Sequence, residues 1–401
     1  MKQKGLTNFF ENYLNKKPLF LNKKVLQANF IPPTISHRDK QIKQIADILA
    51  PCLKLEKSSN IFIYGKTGTG KTASTKYIID QMNKIIKQKN IQVKTIYLNC
   101  KLKKVANTEY RLIAQLVREF GKPIPPTGLP TEEVYKIFYD TINEEKQLII
   151  LVLDEIDQLI KKTGDEILYN LTRMNSELKE SQIEIIGISN DVLFRDYLDP
   201  RVKSSLSEEE IIFPPYNALQ IRDILAQRAK KAFRKGTLAQ GLIEKCAAYA
   251  AREHGDARRA IELLRVAGEI AEREGIQKVA ISHLDKAEEK IDNDRILDIV
   301  KTQPKQHQAI LYSILTLQNN KQIFTGEVYT LYKDICLKIG LRPLTQRRVS
   351  DIIAEFDMLG IINTKVISKG RYGRTREINI TVPTTTQPQI KQTLAEGLTL
   401  T

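Results

Sequence analysis

The stretch NIFIYGKTGTGKTAST, from residue 60 to residue 75, constrains the fold of this chain more than any other. An apolar run predicts a buried β-strand, a loop with three glycines follows it, and the next residues have apolar side chains at helical spacing. Glycines let backbone N–H groups converge at the positive end of the following helix. The alternative, a glycine-rich turn that matches by chance, does not explain this strand and helix.

The loop fits the pattern G-x-x-x-x-G-K-[ST], which binds the phosphates of a nucleotide. Lys71 is expected to reach the β- and γ-phosphates, and the Thr72 hydroxyl is expected to bind Mg²⁺. The residues assigned to nucleotide binding here are Gly65, Lys66, Thr67, Gly68, Thr69, Gly70, Lys71 and Thr72.

Polar residues follow two further apolar strands. LIILVLDEID, residues 148–157, places Asp154 at the carboxyl end of a strand, where open α/β sheets bind ligands. We predict that Asp154 is the Mg²⁺ carboxylate and that the adjacent Glu155 polarises the attacking water. IEIIGISN ends in Asn190, which is expected at the same edge. Two solvated acids at a strand end are the alternative.

The second half of the chain changes character. Amphipathic helical segments interrupted by glycines predict a small helical domain after residue 215. Residues 300–385 predict three helices and a β-hairpin, which is a winged helix, with the third helix capped by Thr345 and ended by Gly360. Many winged helices bind only protein, but this one carries basic residues suited to duplex DNA, namely Arg347 and Arg348 in the third helix and Lys369, Arg371, Tyr372, Arg374 and Arg376 in the hairpin.

Net charge supports a polyanionic partner. The formal charge is +16, and residues 300–401 carry 14 lysines and arginines against 7 acidic residues. The four cysteines lie far apart, which predicts neither a zinc site nor a disulfide framework and fits a reducing cytosol. We find no signal peptide or membrane span and expect a cytoplasmic protein associated with chromosomal DNA.

Several segments in this order resemble the archaeal replication initiators of the origin-recognition and cell-division-cycle family, which are AAA+ ATPases with a C-terminal winged helix. They are YRLIAQLVREFG, VLDEIDQLI, LDPRVKSSL, IIFPPYNALQIRDILAQR and GDARRAIELLR. The resemblance implies an α/β P-loop domain, a helical lid, bound ATP or ADP with Mg²⁺, and slow ATP hydrolysis used as a switch. It also implies double-stranded origin DNA, a paralogous initiator and the replicative helicase as partners. A clamp-loader subunit and a signalling or transcription-regulating ATPase remain alternatives.

The resemblance also assigns roles to individual residues. Asn190 matches the first sensor of AAA+ proteins, which orients the attacking water, although a strand-end asparagine that caps a turn is an alternative. Arg258 matches the second sensor, a lid arginine on phosphate, and its neighbour Arg259 remains open for that role. Arg201 resembles a finger that completes a neighbour's site, but Ser205 stands where relatives often carry a second arginine.

Further residues are implied around the bound nucleotide. Tyr216 and Arg228 match positions at the start of the lid, and His37 and Arg38 are candidates for base contacts. A core tyrosine and a surface histidine are the alternatives for Tyr216 and His37. The predicted domains are a basic arm at 1–24, the AAA+ base at 25–214, the lid at 215–295, the winged helix at 300–385 and a tail at 386–401.

Overall fold

The computed structural model describes residues 17–101, 108–125, 127–206, 208–317, 322–368, 374–384 and 386–400. The chain forms two compact units, residues 1–284 and 285–401, and the boundary falls inside one long helix. The sequence-based boundary, between residues 295 and 300, lies further along that helix. No helix in the described part of the chain combines the length and apolarity needed to cross a membrane.

The first unit is built on a five-stranded parallel sheet in the order β2-β3-β4-β1-β5. β3 and β4 are buried along nearly their whole length, as the apolar runs in the sequence predict. The strands are β1 (Asn60–Tyr64), β2 (Val93–Asn99), β3 (Gln147–Asp154), β4 (Ser181–Ser189) and β5 (Glu208–Ile212). This topology brings the carboxyl ends of β1, β3 and β4 to one edge.

Helices cover both faces of this sheet. One apolar cluster packs two helices on one face, α1 (Asp39–Leu49) and α2 (Lys71–Lys89). A second cluster packs five helices on the other face, namely α3 (Glu109–Glu119), α4 (Thr131–Ile142), α5 (Ile156–Thr163), α6 (Glu166–Met174) and α7 (Pro200–Leu206). The three-layer α/β architecture confirms the fold class that the sequence predicts.

Three helices follow the sheet in the first unit: α8 (Ala218–Ala232), α9 (Leu242–Arg252) and α10 (Ala257–Glu274). The segment 17–36, which we call the N-terminal strap, packs on them. Its Leu19 and Phe20 are buried, and Phe20 pairs with Phe233 at a ring-centroid distance of 4.6 Å. From Leu19 onward, apolar side chains therefore fix the predicted basic arm at 1–24 to α8 and α10.

The second unit has a three-stranded antiparallel sheet in the order β6-β8-β7, with β6 (Ile323–Phe324), β7 (Ile362–Ser368) and β8 (Arg374–Ile380). The long helix α11 (Ile281–Thr302) leads into this unit, which contains α12 (Lys305–Thr316), α13 (Thr325–Lys338) and α14 (Gln346–Met358). Thr345 caps α14 by accepting from Arg348 N, and Gly360 follows its end with φ +72°. This is the winged helix that the sequence predicts.

The segment after residue 385 corrects one prediction. The sequence predicts a tail at 386–401. Instead the segment forms α15 (Gln387–Leu398), and Ile390, Leu394 and Leu398 are buried in the core of the second unit. These apolar residues recur every four positions, which is a helical period. This periodicity outweighs the polar composition of the segment.

Candidate functional site

The glycine-rich loop between β1 and α2 surrounds the ammonium group of Lys71. Lys71 is only 5% exposed, and its Nζ donates to the carbonyl oxygens of Gly65 at 2.6 Å and Lys66 at 2.8 Å. Burial lowers the pKa of Lys71 to about 8. Gly68 and Gly70 take φ of +75° and +88°, which favours glycine over any other residue. The loop therefore holds the Lys71 ammonium group at the N-terminus of a helix. Both the ammonium charge and the helix N-terminus favour a bound anion at this position.

Thr72 and Asp154 meet at the carboxyl edge of the sheet. The Thr72 hydroxyl donates to Oδ2 of Asp154 at 3.0 Å, and the Glu155 N–H donates to Oδ1 at 3.0 Å. The Tyr97 hydroxyl, from β2, also donates to Oδ2 of Asp154. Asp154 is 4% exposed, and three donors hold its carboxylate in one orientation: one from α2, one from β2 and one from the backbone directly after β3.

Asn190 lies beside the same lysine. Lys71 Nζ donates to Oδ1 of Asn190 at 2.9 Å, which joins the end of β4 to the loop. Asp157 is 3% exposed, and its Oδ1 accepts from Asn190 N at 3.4 Å. Glu155 takes a left-handed conformation with φ +58°, and its carboxylate lies 3.8 Å from Lys101 Nζ. The structure thus brings together Asp154, Glu155 and Asn190, the three polar residues that the sequence placed at this edge, and adds Asp157 to them.

The start of α10 closes over the loop. Asp256 caps this helix by accepting from the N–H groups of Arg258 and Arg259, and a Cβ at Gly68 would lie only 1.7 Å from Oδ1 of Asp256. Arg258 is exposed and lines the cleft, and its charge contributes to the lowered pKa of Lys71. Arg259 instead pairs with Glu253 at 3.2 Å. The geometry therefore favours Arg258 as the arginine that faces the cleft.

A cavity of about 380 Å³ lies between the loop, the N-terminal strap, α8 and α10. Its polar end is formed by Gly68, Gly70, Thr72 and Arg258. Apolar side chains form the other part, including those of Phe30, Ile31, Ile224 and Ile261. A phosphate-binding end next to an apolar slot matches the two chemical halves of a nucleotide.

Arg228 and Tyr216 shape this cavity. Arg228 donates to the carbonyl oxygens of Val25 at 2.7 Å and Phe30 at 3.1 Å, so it fixes the strap that forms one wall. Burial lowers its pKa to about 10. Tyr216 is 5% exposed, and a Cβ at Gly70 would lie 2.6 Å from its hydroxyl oxygen. Both residues line the cavity.

Two residues expected near the base lie elsewhere. His37 is outside the residues that line the cavity, and its Nε2 is 3.3 Å from Oδ2 of Asp223. Arg38 is 2% exposed and lies under the loop, where Nε donates to the carbonyl oxygen of Thr69 at 2.9 Å. The positions therefore disfavour base contacts from these two side chains, because their polar groups are engaged with protein.

Arg201 lies at the surface, on α7. Its side chain is 83% exposed, and its Nε is 3.1 Å from Oδ1 of Asp199. Ser205 accepts a hydrogen bond from Thr172 within the same unit. The geometry leaves Arg201 accessible to another molecule.

The residues present fit a magnesium nucleotide. Thr72 and Asp154 offer hard oxygen donors beside the loop, which suit Mg²⁺. Among the residues that the structure describes, no three His, Cys, Asp or Glu side chains cluster as a metal site. A metal at this edge would therefore take phosphate oxygens as ligands in addition to the protein oxygens, as Mg²⁺ commonly does.

The second unit has a basic groove between α14 and the β-hairpin. It encloses about 490 Å³ and is lined by Gln346, Arg347, Ser350, Asp351 and Arg376, among others. Arg347 is exposed, and Arg348 is 54% exposed with Asp351 and Glu355 at 4.0 and 3.8 Å. The structure thus brings Arg347 and Arg376 to one surface. Lys369, Arg371 and Tyr372 lie outside the described residues, and Arg374 is described only as the start of β8.

Sequence reasoning missed three residues of the nucleotide cleft. Asp157 stands in the same Asp-Glu-x-Asp segment as Asp154, so its spacing was a usable signal. Asp256 precedes the arginine pair and is a preferred helix N-cap. Tyr97 is one of several half-buried residues of β2, and nothing in its local sequence distinguishes it.

The fold and the site together define a class of protein: an AAA+ ATPase domain joined to a winged helix. Family models match in the same order along the chain. They are the AAA domain at residues 55–190, the Cdc6 AAA+ ATPase-type lid domain at 222–289 and the CDC6 C-terminal winged helix domain at 298–387.

Curated relatives narrow this class. The chain is 53% identical over 388 residues to the ORC1-type DNA replication protein of Thermococcus onnurineus, covering 95% of this chain and 93% of the relative. It is 52% identical to that of Pyrococcus horikoshii, covering 95% and 92%. The chain belongs to the family of ORC1-type DNA replication proteins. This membership confirms the resemblance to replication initiators.

Solved structures agree with this family. The structure of Aeropyrum pernix ORC1 in complex with DNA is 41% identical, with a TM-score of 0.81, and covers 94% of this chain and 97% of that chain. Aeropyrum pernix ORC2, solved as ADPNP-ADP complexes, is 22% identical with a TM-score of 0.61, covering 95% and 100%. Cdc6p from Pyrobaculum aerophilum, at 19% identity and a TM-score of 0.61, covers 95% and 99%. The latter two share the fold.

Proposed function

We propose that this protein is a DNA replication initiator that binds ATP, hydrolyses it slowly and uses its nucleotide state to control binding to origin duplex DNA. The observation that carries the nucleotide half is the buried Lys71, held by loop carbonyls and by Asn190 beside the Thr72–Asp154 pair. These groups suit a triphosphate. Because burying a cation is costly, a bound anion is the simplest reason for a buried lysine at this position.

Each side chain has a task in this proposal. Lys71 exchanges its carbonyl partners for the β- and γ-phosphate oxygens, and loop N–H groups bind the remaining phosphate oxygens. Asn190 orients the attacking water, and Glu155 accepts its proton. Arg258 contacts phosphate from α10, so that the bound nucleotide touches both the sheet and the three-helix lid.

Thr72 and Asp154 would hold Mg²⁺. When bound, this ion neutralises phosphate charge. Tyr97 and the Glu155 N–H keep the Asp154 carboxylate oriented for that task.

We also propose that the groove of the second unit contacts DNA. Two arginines, Arg347 and Arg376, line it, and the relative solved with DNA is 41% identical over 94% of this chain. A helix with exposed arginines in its first turn suits the major groove, and the adjacent hairpin suits phosphates or the minor groove. In the cell this activity would keep the protein on chromosomal DNA, where it helps to recruit or load the replicative helicase.

Arg201 is assigned to a neighbouring molecule. Its high exposure supports a role as the finger that completes the ATP site of a second copy or of a paralogous initiator. In the absence of such a neighbour, ATP hydrolysis by the chain should be slow.

A footprint on chromosomal DNA, with ATP, with ADP and without nucleotide, tests the proposal directly. We expect protection confined to a few sites, with a pattern that changes with the nucleotide. Uniform, nucleotide-independent protection would contradict sequence-specific, ATP-switched binding.

A further inference from the structure

Arg38 is a buried arginine for which the nucleotide site has no obvious need. It directly precedes α1, and Ile45 and Leu49 of α1 are in the apolar core beneath the sheet. The backbone that carries Arg38 is therefore fixed to the sheet. Because a buried guanidinium is costly unless its N–H groups are paired, the groups that it contacts indicate its task.

The guanidinium joins two segments that are far apart in the sequence. Nε donates to the carbonyl oxygen of Thr69 in the phosphate loop at 2.9 Å, and Nη2 donates to that of Pro214 at 2.5 Å. Pro214 lies in the connecting segment, residues 213–217, between β5 and α8. The planar guanidinium reaches these acceptors through two separate nitrogens held in a fixed geometry, whereas a lysine donates from one nitrogen only.

The aromatic ring beside Arg38 strengthens this connection. The guanidinium carbon lies 3.8 Å from the ring centroid of Tyr216, a cation–π distance, while the Tyr216 hydroxyl lies against Gly70. The Tyr216 N–H donates to the carbonyl oxygen of Gly255 at 3.3 Å, just before the start of α10. The connecting segment therefore touches the loop on one side and the lid helices on the other.

We propose that Arg38 is a positioning residue that couples occupancy of the phosphate loop to the orientation of the lid helices α8–α10. Phosphates bound to the loop fix the Thr69 carbonyl, and Arg38 transmits that restraint to Pro214 and Tyr216. A ligand biases a hinge only through contacts that differ between its two states, and this bridge supplies such a contact. The inference rests on the proposed nucleotide binding.

The test measures the distance between sheet and lid in the intact chain. Spin labels at Lys89→Cys on α2 and Glu244→Cys on α9 report that distance, and the four native cysteines are buried. The variants are Arg38→Lys and Arg38→Gln. The matched control is Arg222→Gln, which removes an exposed α8 arginine that pairs with Asp223. Titration with a fluorescent ADP analogue gives the dissociation constant of every variant.

We expect ADP to shift and narrow the distance distribution in the wild type and in Arg222→Gln. Both Arg38 variants should lose most of that shift, while their ADP dissociation constants rise less than about fivefold, because the phosphate contacts remain. A wild-type shift in the Arg38 variants would overturn the coupling. So would an affinity loss as large as that of Lys71→Ala, which would make Arg38 a direct ligand contact.

Two further readings keep the test decisive. If wild type and Lys71→Ala bind ADP equally weakly, the proposed nucleotide site fails before the coupling is at issue. Thermal unfolding shows whether the Arg38 variants are folded. If neither is folded, hydrogen exchange of the wild type tests the coupling instead. ADP should slow exchange at the Phe213 and Tyr216 amides, which donate to Tyr64 and Gly255. Unchanged exchange there would overturn the proposal.

Discussion

The nucleotide cleft and the winged-helix groove both present cations, but they hold them in opposite ways. In the cleft Lys71 is 5% exposed and donates to three acceptors between 2.6 and 2.9 Å. Beside the groove, on α14, Arg348 is 54% exposed and lies 3.8 to 4.0 Å from its acidic neighbours. The lysine is preorganised by short hydrogen bonds to the protein, whereas the exposed arginine is held only by long ion-pair contacts.

This difference in burial predicts how much each cation contributes to binding and how strongly salt affects that contribution. A buried, paired charge acts at low dielectric, so losing it is costly and salt matters little. Exposed cations act mainly by releasing counterions from a polyanion, so each contributes a small, salt-dependent amount. Substitutions should therefore differ in size and in salt dependence between the two regions.

The largest effect is expected from Lys71→Ala. It removes the ammonium group that the loop and Asn190 surround, so ATP affinity should fall by about a hundredfold or more. Titration with a fluorescent nucleotide measures this at low and at high salt. Lys84→Ala, an exposed lysine on the same helix, is the control. If Lys71→Ala and Lys84→Ala bind the nucleotide with equal affinity, the buried lysine contributes no more to binding than the exposed one.

Glu184 on β4 tests the effect of burial itself, because its side chain is buried in the first unit. Burial raises its pKa to about 8. A carboxyl with a raised folded-state pKa favours folding most below the unfolded pKa, and that contribution is lost as pH rises toward the folded value.

Relative to Glu184→Gln, the wild type should therefore lose about 2 kcal/mol of unfolding free energy between pH 5 and pH 7. Urea unfolding followed by circular dichroism at both pH values measures this. Parallel pH profiles for the two proteins would show that Glu184 ionises normally in the folded state.

A smaller effect is expected in the groove. Arg347→Ala combined with Arg376→Ala should weaken duplex DNA binding about tenfold at moderate salt and flatten the logarithmic salt slope by roughly 1 to 2. Electrophoretic or fluorescence titration at several salt concentrations measures both quantities. Lys338→Ala, an exposed lysine on α13, should leave the slope unchanged. If the double variant also leaves it unchanged, the DNA surface lies elsewhere.

The smallest effect is expected from Tyr97→Phe. Removal of one hydrogen bond to Asp154 should raise the Mg²⁺ concentration needed for half-maximal ATP hydrolysis about threefold, with nucleotide-free folding intact. A magnesium titration of turnover gives this number. An unaltered magnesium requirement would mean that Thr72 and the Glu155 N–H suffice to orient the carboxylate.

The fold was largely predictable because its signals are local. The strand–loop–helix context gave the phosphate loop, apolar runs gave β3 and β4, and Thr345 and Gly360 marked the ends of α14. The C-terminal helix was missed because its polar residues hid the recurrence of Ile390, Leu394 and Leu398. The packing of Leu19 and Phe20 on the lid has no local signal at all, since its partners lie about two hundred residues away.

By itself, the sequence determined the parts of this protein: a glycine-rich loop before a helix, a carboxylate strand end, a helical lid and a basic winged helix. Tertiary structure alone decided that Arg258 rather than Arg259 faces the cleft, that Tyr97 holds Asp154, and that Arg38 bridges Thr69 and Pro214. The physical reason is the distance along the sequence between the residues that interact. Spacing and periodicity encode what one element does, whereas a hydrogen bond between distant residues depends on how the elements pack.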